Sequence, residues 1–385
     1  MNTMKRNLII IVLALFPFFI QAQSSIEEGY YRVSNMKTER YVYVRDNTGS
    51  INYSALSAEM GAVELWKDHD KTLSDPGSII YLKKVENGQY DLKSQGTGIL
   101  EMIERAVTIS AGNGFYQLYA EGKYLCDENR TLWMDDGNLG TNGSGNYTKW
   151  IADKVDVATD EWFGITPSIE ANGKFYQPFY ADFGFTPLSD DIKVWYISVI
   201  DTAGVVLKEF TGDVVPARMP VFIECTSSVT SQNKLDLKYY YATLPADNKL
   251  KGVYFNKPSR RAISNDACTE FNSSTMRVLG VMEDGRLGYV LSNEPLNKGK
   301  QYLAANQSYL VVESHYPSEI PVITEAEYEE ILARRENAAV HSTTTASIKE
   351  VYSISGRFIG MLTAKQISEL HPGLYIIERK KVSVE

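Results

Sequence analysis

The chain has 385 residues, of which 44% are hydrophobic, and 39 Lys and Arg stand against 48 Asp and Glu, a formal net charge of −9. This length exceeds what one ordinary hydrophobic core accommodates and predicts two or three domains. The acidic balance argues against nucleic acid as a partner, because phosphate binding needs clustered Lys and Arg.

Residues 1–22 have the pattern of a secretory signal peptide. Lys5 and Arg6 are basic, residues 8–20 are an uninterrupted apolar run, and Ala22 precedes the expected cleavage point. A bilayer needs about 20 apolar residues, so this run is too short to span one, and no transmembrane span is expected after cleavage. Removing Lys5 and Arg6 leaves 37 basic against 48 acidic residues, which gives the mature chain a net charge of −11.

Residues 23–160 carry a weak internal repeat with β character. Three similar segments are each followed, eight to ten residues later, by an apolar pair. The segments are Tyr31-Arg-Val-Ser, Tyr90-Asp-Leu-Lys and Tyr116-Gln-Leu-Tyr, and the pairs are Tyr41-Val42, Ile99-Leu100 and Tyr124-Leu125. Three related units predict a pseudo-threefold barrel.

With Arg45-Asp46 after a strand and Val63-Glu-Leu-Trp66 and Lys149-Trp150-Ile151 further on, this region resembles the ricin-type β-trefoil. The resemblance implies a sugar-binding role for Asp46 and an aromatic platform at Trp66. Core packing is the alternative for each tryptophan, and it is the preferred interpretation for Trp150.

The stretch from residue 133 to residue 147 is rich in side chains that hold sugars. It contains Trp133, Asp135, Asn138 and Tyr147. Aromatic faces stack on the C–H surfaces of a sugar, and carboxylates or amides bind its paired hydroxyls, so these four residues are predicted ligand contacts. The same stretch lacks the spacing of an EF-hand, and no metal is expected.

Residues 161–318 predict a β-sandwich, since aromatic and β-branched runs alternate with Gly, Asn, Asp and Pro turns. The ordered series of Pro-Ala-x-x-Pro-Val, Gly-Val-Tyr-Phe, Gly-Tyr-Val-Leu and a final Tyr-Leu-Val-Val strand resembles an accessory domain of secreted Bacteroidetes proteins. That resemblance implies a fold and no chemistry.

Residues 319–347 are expected to form a short helix and a linker. Residues 325–335 are acidic at their start and basic at their end, which suits the helix dipole. Residues 336–347 are small and polar without a period, which predicts a flexible linker.

Residues 348–385 predict a small β tail of three short strands. Gly356 and Arg357 fill a first turn, Gly373 and Tyr375 fill a second turn and the strand after it, and Lys380-Lys381-Val382 opens a closing strand. This pattern resembles the C-terminal sorting domain of type IX secretion cargo. The resemblance implies contact with the export machinery and a destination outside a Gram-negative cell; the alternative is a last hairpin that completes a domain.

Catalytic and metal-binding patterns are not found. Of the four histidines, only His69 and His315 lie outside the expected linker and tail. The adjacent Asp pairs are interpreted as solvated turns. Cys126, Cys225 and Cys268 fit no zinc spacing; buried free thiols are favoured, with a Cys225–Cys268 disulfide as the alternative. No cofactor is expected.

The sequence therefore predicts an all-β, secreted or surface-attached protein that is not an enzyme. The first hypothesis is non-catalytic glycan binding. The alternative is a surface receptor that recruits a host or other protein, for example a protease, and abundant Tyr suits either role. The third hypothesis is an unrecognised glycoside hydrolase.

Overall fold

The structure is a computed structural model, and it describes residues 26–44, 63–85, 88–98, 107–120, 123–127, 139–140, 145–256, 268–297, 299–345 and 348–384. The expected signal peptide and the predicted ligand contacts Asp46, Trp133, Asp135 and Asn138 lie outside the described residues. The architecture is all-β, as the sequence predicts, and comprises a closed six-strand barrel and a curled sheet.

The chain divides into two compact units. The barrel unit comprises residues 1–164, 234–239 and 254–269, and the sheet unit comprises residues 165–233, 240–253 and 270–385. Neither unit is one continuous segment, because the chain returns twice to the barrel unit after residue 164.

The strands of the first 164 residues are β1 Gly29–Asn35, β2 Tyr41–Val44, β3 Val63–Trp66, β4 Ile80–Lys84, β5 Gln89–Ser94, β6 Thr97–Gly98, β7 Val107–Ala111, β8 Tyr116–Ala120, β9 Lys123–Leu125, β10 Leu139–Gly140, β11 Trp150–Lys154 and β12 Phe163–Gly164. Helix α1 spans His69–Thr72, and two 3-10 helices span Pro76–Ser78 and Asn146–Thr148.

The later strands are β13 Ile169–Ala171, β14 Lys174–Phe179, β15 Gly184–Pro187, β16 Lys193–Asp201, β17 Gly204–Glu209, β18 Val221–Cys225, β19 Lys234–Lys238, β20 Leu250–Val253, β21 Met276–Val281, β22 Leu287–Val290, β23 Leu296–Asn297, β24 Lys300–Gln301, β25 Gln307–Val311, β26 Ile320–Ile323, β27 Lys349–Ser353, β28 Phe358–Leu362, β29 Gly373–Ile377 and β30 Lys380–Val384. A 3-10 helix spans Thr230–Gln232, and helices α2 and α3 span Glu325–Thr345 and Ala364–Ser368.

Six antiparallel strands close the barrel in the order β1-β4-β5-β7-β8-β11, and β11 returns to β1. The closing register runs from Tyr31 opposite Lys154 to Asn35 opposite Trp150. The three segments with the repeated tyrosine are β1, β5 and β8, and they alternate around the ring with β4, β7 and β11. Shorter strands extend from each of the three: β2 and β3 from β1, β6 from β5, and β9 and β10 from β8.

The repeated tyrosines contribute to one core. Tyr31 and Tyr90 are buried, and Tyr116 packs against the same cluster. Burial, the charge of Glu27 and the neighbouring Tyr116 and Tyr90 raise the pKa of Tyr31 to about 12. Trp150 is fully buried, and its indole N–H donates to the Leu125 carbonyl at 3.0 Å, which confirms the core role that the sequence favours for it.

A buried arginine fixes the segment that follows β11. Arg32 on β1 is fully buried and donates to the Thr72 carbonyl, to the Trp162 carbonyl at 2.9 Å and to both the carbonyl and the carboxylate of Glu161. Burial lowers the pKa of Arg32, and the nearby Glu161 opposes that effect. Because all these acceptors converge on one guanidinium, residues 161–162 are held against the barrel.

The sheet unit contains a ten-strand sheet in the order β13-β14-β18-β16-β17-β26-β22-β21-β25-β20. Only the β17–β26 pair is parallel among these described strands. The sheet curls, so that the chain just after β14 meets the chain just before β25: Tyr180 N–H donates to the Asn306 carbonyl at 2.9 Å, and Asn306 Nδ2 donates back at 3.0 Å.

Cys126 and Cys225 are buried thiols, as the favoured interpretation predicts, whereas Cys268 is only partly buried. Burial raises the pKa of the Cys225 thiol to about 12. The alternative disulfide between Cys225 and Cys268 is not formed; Cys225 lies on β18 of the sheet unit, whereas Cys268 belongs to the barrel unit.

Helix α2 begins where the sequence predicts but continues to Thr345, so residues 336–345 are helical rather than a linker. A capping pair starts it, since Glu327 accepts from the Thr324 N–H at 2.7 Å and donates its own N–H to the Thr324 hydroxyl. No Gly or Pro interrupts residues 325–345, and this absence of a helix breaker explains the greater length. The bidentate pair between Arg335 and Asp201 (2.7 and 2.9 Å) fastens the helix to the end of β16.

The tail forms one antiparallel sheet in the order β28-β27-β29-β30. It has four strands and helix α3, whereas the sequence predicts three strands. Gly356 has a φ of +84° in the turn between β27 and β28, which is the role predicted for it. The tight turn between β29 and β30 is made by Glu378 and Arg379, both with positive φ.

Candidate functional site

A cavity of about 300 Å³ opens on the barrel unit beside the β1–β2 turn. Five of the described residues line it: Lys37, Thr38, Arg40, Lys67 and Tyr147. They come from three distant parts of the chain, namely the β1–β2 turn, the end of β3 and the 3-10 helix before β11. The barrel register brings these parts together, because β1 pairs with both β2 and β11 and β2 pairs with β3.

Asn35 builds the turn that forms one wall. Its side chain is almost fully buried, and Oδ1 accepts the backbone N–H groups of Lys37 and Thr38 at 3.0 and 3.2 Å. Its Nδ2 donates to the Tyr147 carbonyl at 2.7 Å. An asparagine at the start of a turn commonly makes such bonds, and here one side chain also joins two walls of the cavity.

A largely buried ion pair joins the lining residue Arg40 to Asp127. Asp127, fully buried, accepts Arg40 Nε at 2.9 Å, a second Arg40 nitrogen and the Thr38 hydroxyl. Its own N–H donates to the Tyr147 carbonyl at 3.1 Å. The fork of the guanidinium is therefore fixed in direction, and the position of Tyr147 is tied to that of Arg40.

The two lysines are held more loosely. Lys37 is exposed, and Lys67 lies 3.6 Å from Glu39 in a pair whose side chains are 69% and 76% exposed. An exposed pair of this kind contributes about 0–1 kcal/mol, so either ammonium group can turn to a ligand at small cost. The cavity thus combines one guanidinium of fixed direction, Arg40, with two lysine ammonium groups that can reorient.

The structure places one of the six predicted ligand contacts, Tyr147, at this cavity. A second, Trp66, is the last residue of β3, opposite Tyr41 in the register and directly before the lining residue Lys67. The remaining four lie outside the described residues, as noted above.

The lysines and Arg40 were not predicted as contacts. Sequence patterns assign isolated Lys and Arg to a solvated surface; the one local signal that this segment offers is an asparagine, Asn35, at the start of a turn.

The predicted tail residues lie in the tail sheet. The Arg357 N–H donates to the Ser353 hydroxyl at 3.1 Å, Tyr375 on β29 donates its hydroxyl to the His371 carbonyl at 2.8 Å, and Gly373 begins β29. Phe358, Met361 and Leu374 in this sheet are each more than half exposed.

A second polar cluster surrounds His69. Its Nε2 lies 3.0 Å from a Glu161 carboxylate oxygen, and its ring contacts Tyr41. Burial and the charge of Glu161 raise the pKa of Asp153 nearby. Within the described part of the chain, no Ser, Thr or Cys side chain hydrogen-bonds to the His69 ring, so the cluster as described is a His–Glu pair without a nucleophile.

Among the residues that the structure describes, no group of three or more His, Cys, Asp or Glu side chains is arranged to hold a metal ion. None of the described helices combines the length and the apolar character that a membrane crossing requires.

No protein-family model matches the chain, and no curated protein matches its sequence.

Proposed function

We propose that this protein is a non-catalytic glycan-binding protein and that the cavity beside Tyr147 is its binding site. The observation that carries the proposal is the lining of the cavity: among the described residues, the aromatic Tyr147 lies beside several hydrogen-bond donors in a concave site on the barrel. Sugars are bound in this way, with C–H faces on an aromatic ring and hydroxyls on polar groups. A volume of about 300 Å³ is at the lower end for ligand sites and suits about one monosaccharide residue.

The barrel, in this proposal, is a β-trefoil. Support comes from the alternation of β1, β5 and β8 with β4, β7 and β11, and from the shorter strands that extend from each repeated strand. For the curled sheet, the β-sandwich assignment and the accessory role remain predictions.

The protein, in this proposal, acts outside a Gram-negative cell. Support comes from the signal-peptide pattern of residues 1–22 and from the tail pattern with Gly356 and Arg357. Fractionating cells that make the full chain, or a chain ending at Ser347, tests the destination. Equal surface delivery of both chains would contradict a sorting role for the tail.

A glycan array probed with mature protein, residues 23–385, tests the binding function. We expect saturable binding that Tyr147→Ala weakens and that Asn146→Ala preserves. Asn146 is the matched control because it is an exposed neighbour whose side chain bonds only to Lys149 among the described residues. Circular dichroism would establish that both variants are folded. Absence of saturable binding, or equal binding by both variants, would refute the proposal for this cavity.

A further inference from the structure

The charge of the cavity lining differs from that of the rest of the molecule. Of the five described residues that line it, three are cationic and none is acidic. The whole chain has the opposite balance, with a net charge of −9. A concentration of positive charge in a concavity of an acidic protein attracts anionic ligands.

We infer that the glycan recognised at this cavity is anionic and carries a carboxylate or a sulfate group. This inference rests on the proposed function and specifies the class of its ligand. The lysine ammonium groups have donors and no acceptor, and an arginine likewise only donates. Such a lining matches the acceptor oxygens of a uronate or sulfate better than the mixed donors and acceptors of a neutral sugar.

The cations of the lining differ in whether an acidic side chain neutralises them, and this difference decides which of them select an anion. Asp127 neutralises Arg40, so Arg40 serves as an oriented donor with little net charge. Glu39 faces Lys67 at 3.6 Å, but both side chains are largely exposed and Glu39 does not line the cavity. Lys37 and Lys67 therefore supply the excess charge, and Arg40 supplies direction.

Matched sugars separate charge from shape. Methyl galactoside and methyl galacturonide, and the corresponding glucose pair, differ only in a CH₂OH or a carboxylate at C6. Titration of the mature protein with each pair should show the acidic member binding about tenfold more tightly, and that preference should shrink when NaCl is raised from about 50 to about 500 mM.

Substitutions of Lys37 and Lys67 test whether the preference for acidic sugars arises at this cavity. Lys37→Gln or Lys67→Gln should each weaken the acidic sugar about threefold and the double variant about tenfold, with the neutral sugar changed by less than about twofold. Lys37→Glu should weaken the acidic sugar further, by like-charge repulsion. Lys84→Gln is the matched control, since Lys84 is an exposed lysine of the same unit outside the cavity.

The outcomes distinguish this inference from the proposed function. If the neutral sugars bind as tightly as the acidic ones and Tyr147→Ala weakens both, glycan binding stands and the anionic class is refuted. If the acidic preference persists unchanged in the double lysine variant, the assignment of charge to this cavity is refuted. If neither member of any pair nor any array glycan binds, both proposals fail.

Discussion

Asn35 should prove to be the residue on which the shape of the cavity depends. Its side chain is 1% exposed and makes three hydrogen bonds, one to the Tyr147 carbonyl and two from the Lys37 and Thr38 N–H groups. The Tyr147 carbonyl also accepts the Asp127 N–H, and the turn lies near solvent, so the cost of each lost bond should stay close to the net value of about 1 kcal/mol. Asn35→Ala is therefore expected to destabilise the barrel unit by about 3 kcal/mol.

Hydrogen–deuterium exchange measured by mass spectrometry is the suitable assay, because a chain with two units need not unfold in a single transition. Peptides that cover β1 and β11 should lose about 3 kcal/mol of opening free energy in Asn35→Ala. Peptides that cover β16 and β18 of the sheet unit should keep their protection. Sugar binding should weaken in parallel, because the turn and Tyr147 lose their common anchor.

Asn146→Ala is the control for this prediction. Asn146 is exposed beside the same cavity, and a surface substitution of this kind changes stability by no more than about 0.5 kcal/mol. Equal exchange in Asn35→Ala and Asn146→Ala would refute the structural role assigned to Asn35.

Four further predictions concern other parts of the chain. Arg32→Met should cost the barrel about 3–5 kcal/mol, because a partly buried carboxylate and three carbonyls lose their donor; an unchanged urea midpoint would contradict this. Asp75 directly precedes the 3-10 helix Pro76–Ser78, and burial raises its pKa from 3.8 to about 6. Its contribution to stability is therefore complete below pH 3.8 and is lost as the pH rises through 6. Asp75→Asn should remove that pH dependence from urea titrations. The hydrogen bonds from Arg335 hold the pKa of Asp201 near 2, so the stability from this pair is present above pH 3.8 and is lost as the pH falls through 2. In Arg335→Gln, NMR titration should find an Asp201 pKa closer to 3.8. A value still near 2 would count against the pair. Gly356→Ala should destabilise the β27–β28 turn by about 1 kcal/mol because φ is +84°, seen as faster amide exchange in both strands.

Some features of the fold could be predicted from local pattern. The alternating run Tyr41–Val44 indicates a strand, and β2 has these bounds. The tyrosine repeat marked the three alternate strands of the barrel, and the acidic start of α2 marked its first residue. These signals are local: the period of side chains along a strand, and the charge and capping of a helix end.

Other features could not be predicted from local sequence patterns, and each has a physical reason. Strand β28, Phe-Ile-Gly-Met-Leu, has no polar alternation, so no period of two marked it. Helix α3 is five residues long, and its one signal was the capping box of Thr363 and Gln366. Arg32 lies in a strand where a polar side chain would be expected to face solvent, yet its acceptors come from α1 and from residues 161–162.

The candidate site shows which features the sequence determines and which features only the tertiary structure determines. The sequence by itself determined the β character of the chain, the threefold repeat, the buried role of Trp150 and the presence of Tyr147 in a polar, aromatic stretch. Only the tertiary structure decided that Lys37, Lys67 and Tyr147 share one cavity, because β-strand periodicity states which side chains share a face but not which strands become neighbours. The pairing of β11 with β1, more than one hundred residues apart, made that choice by closing the barrel.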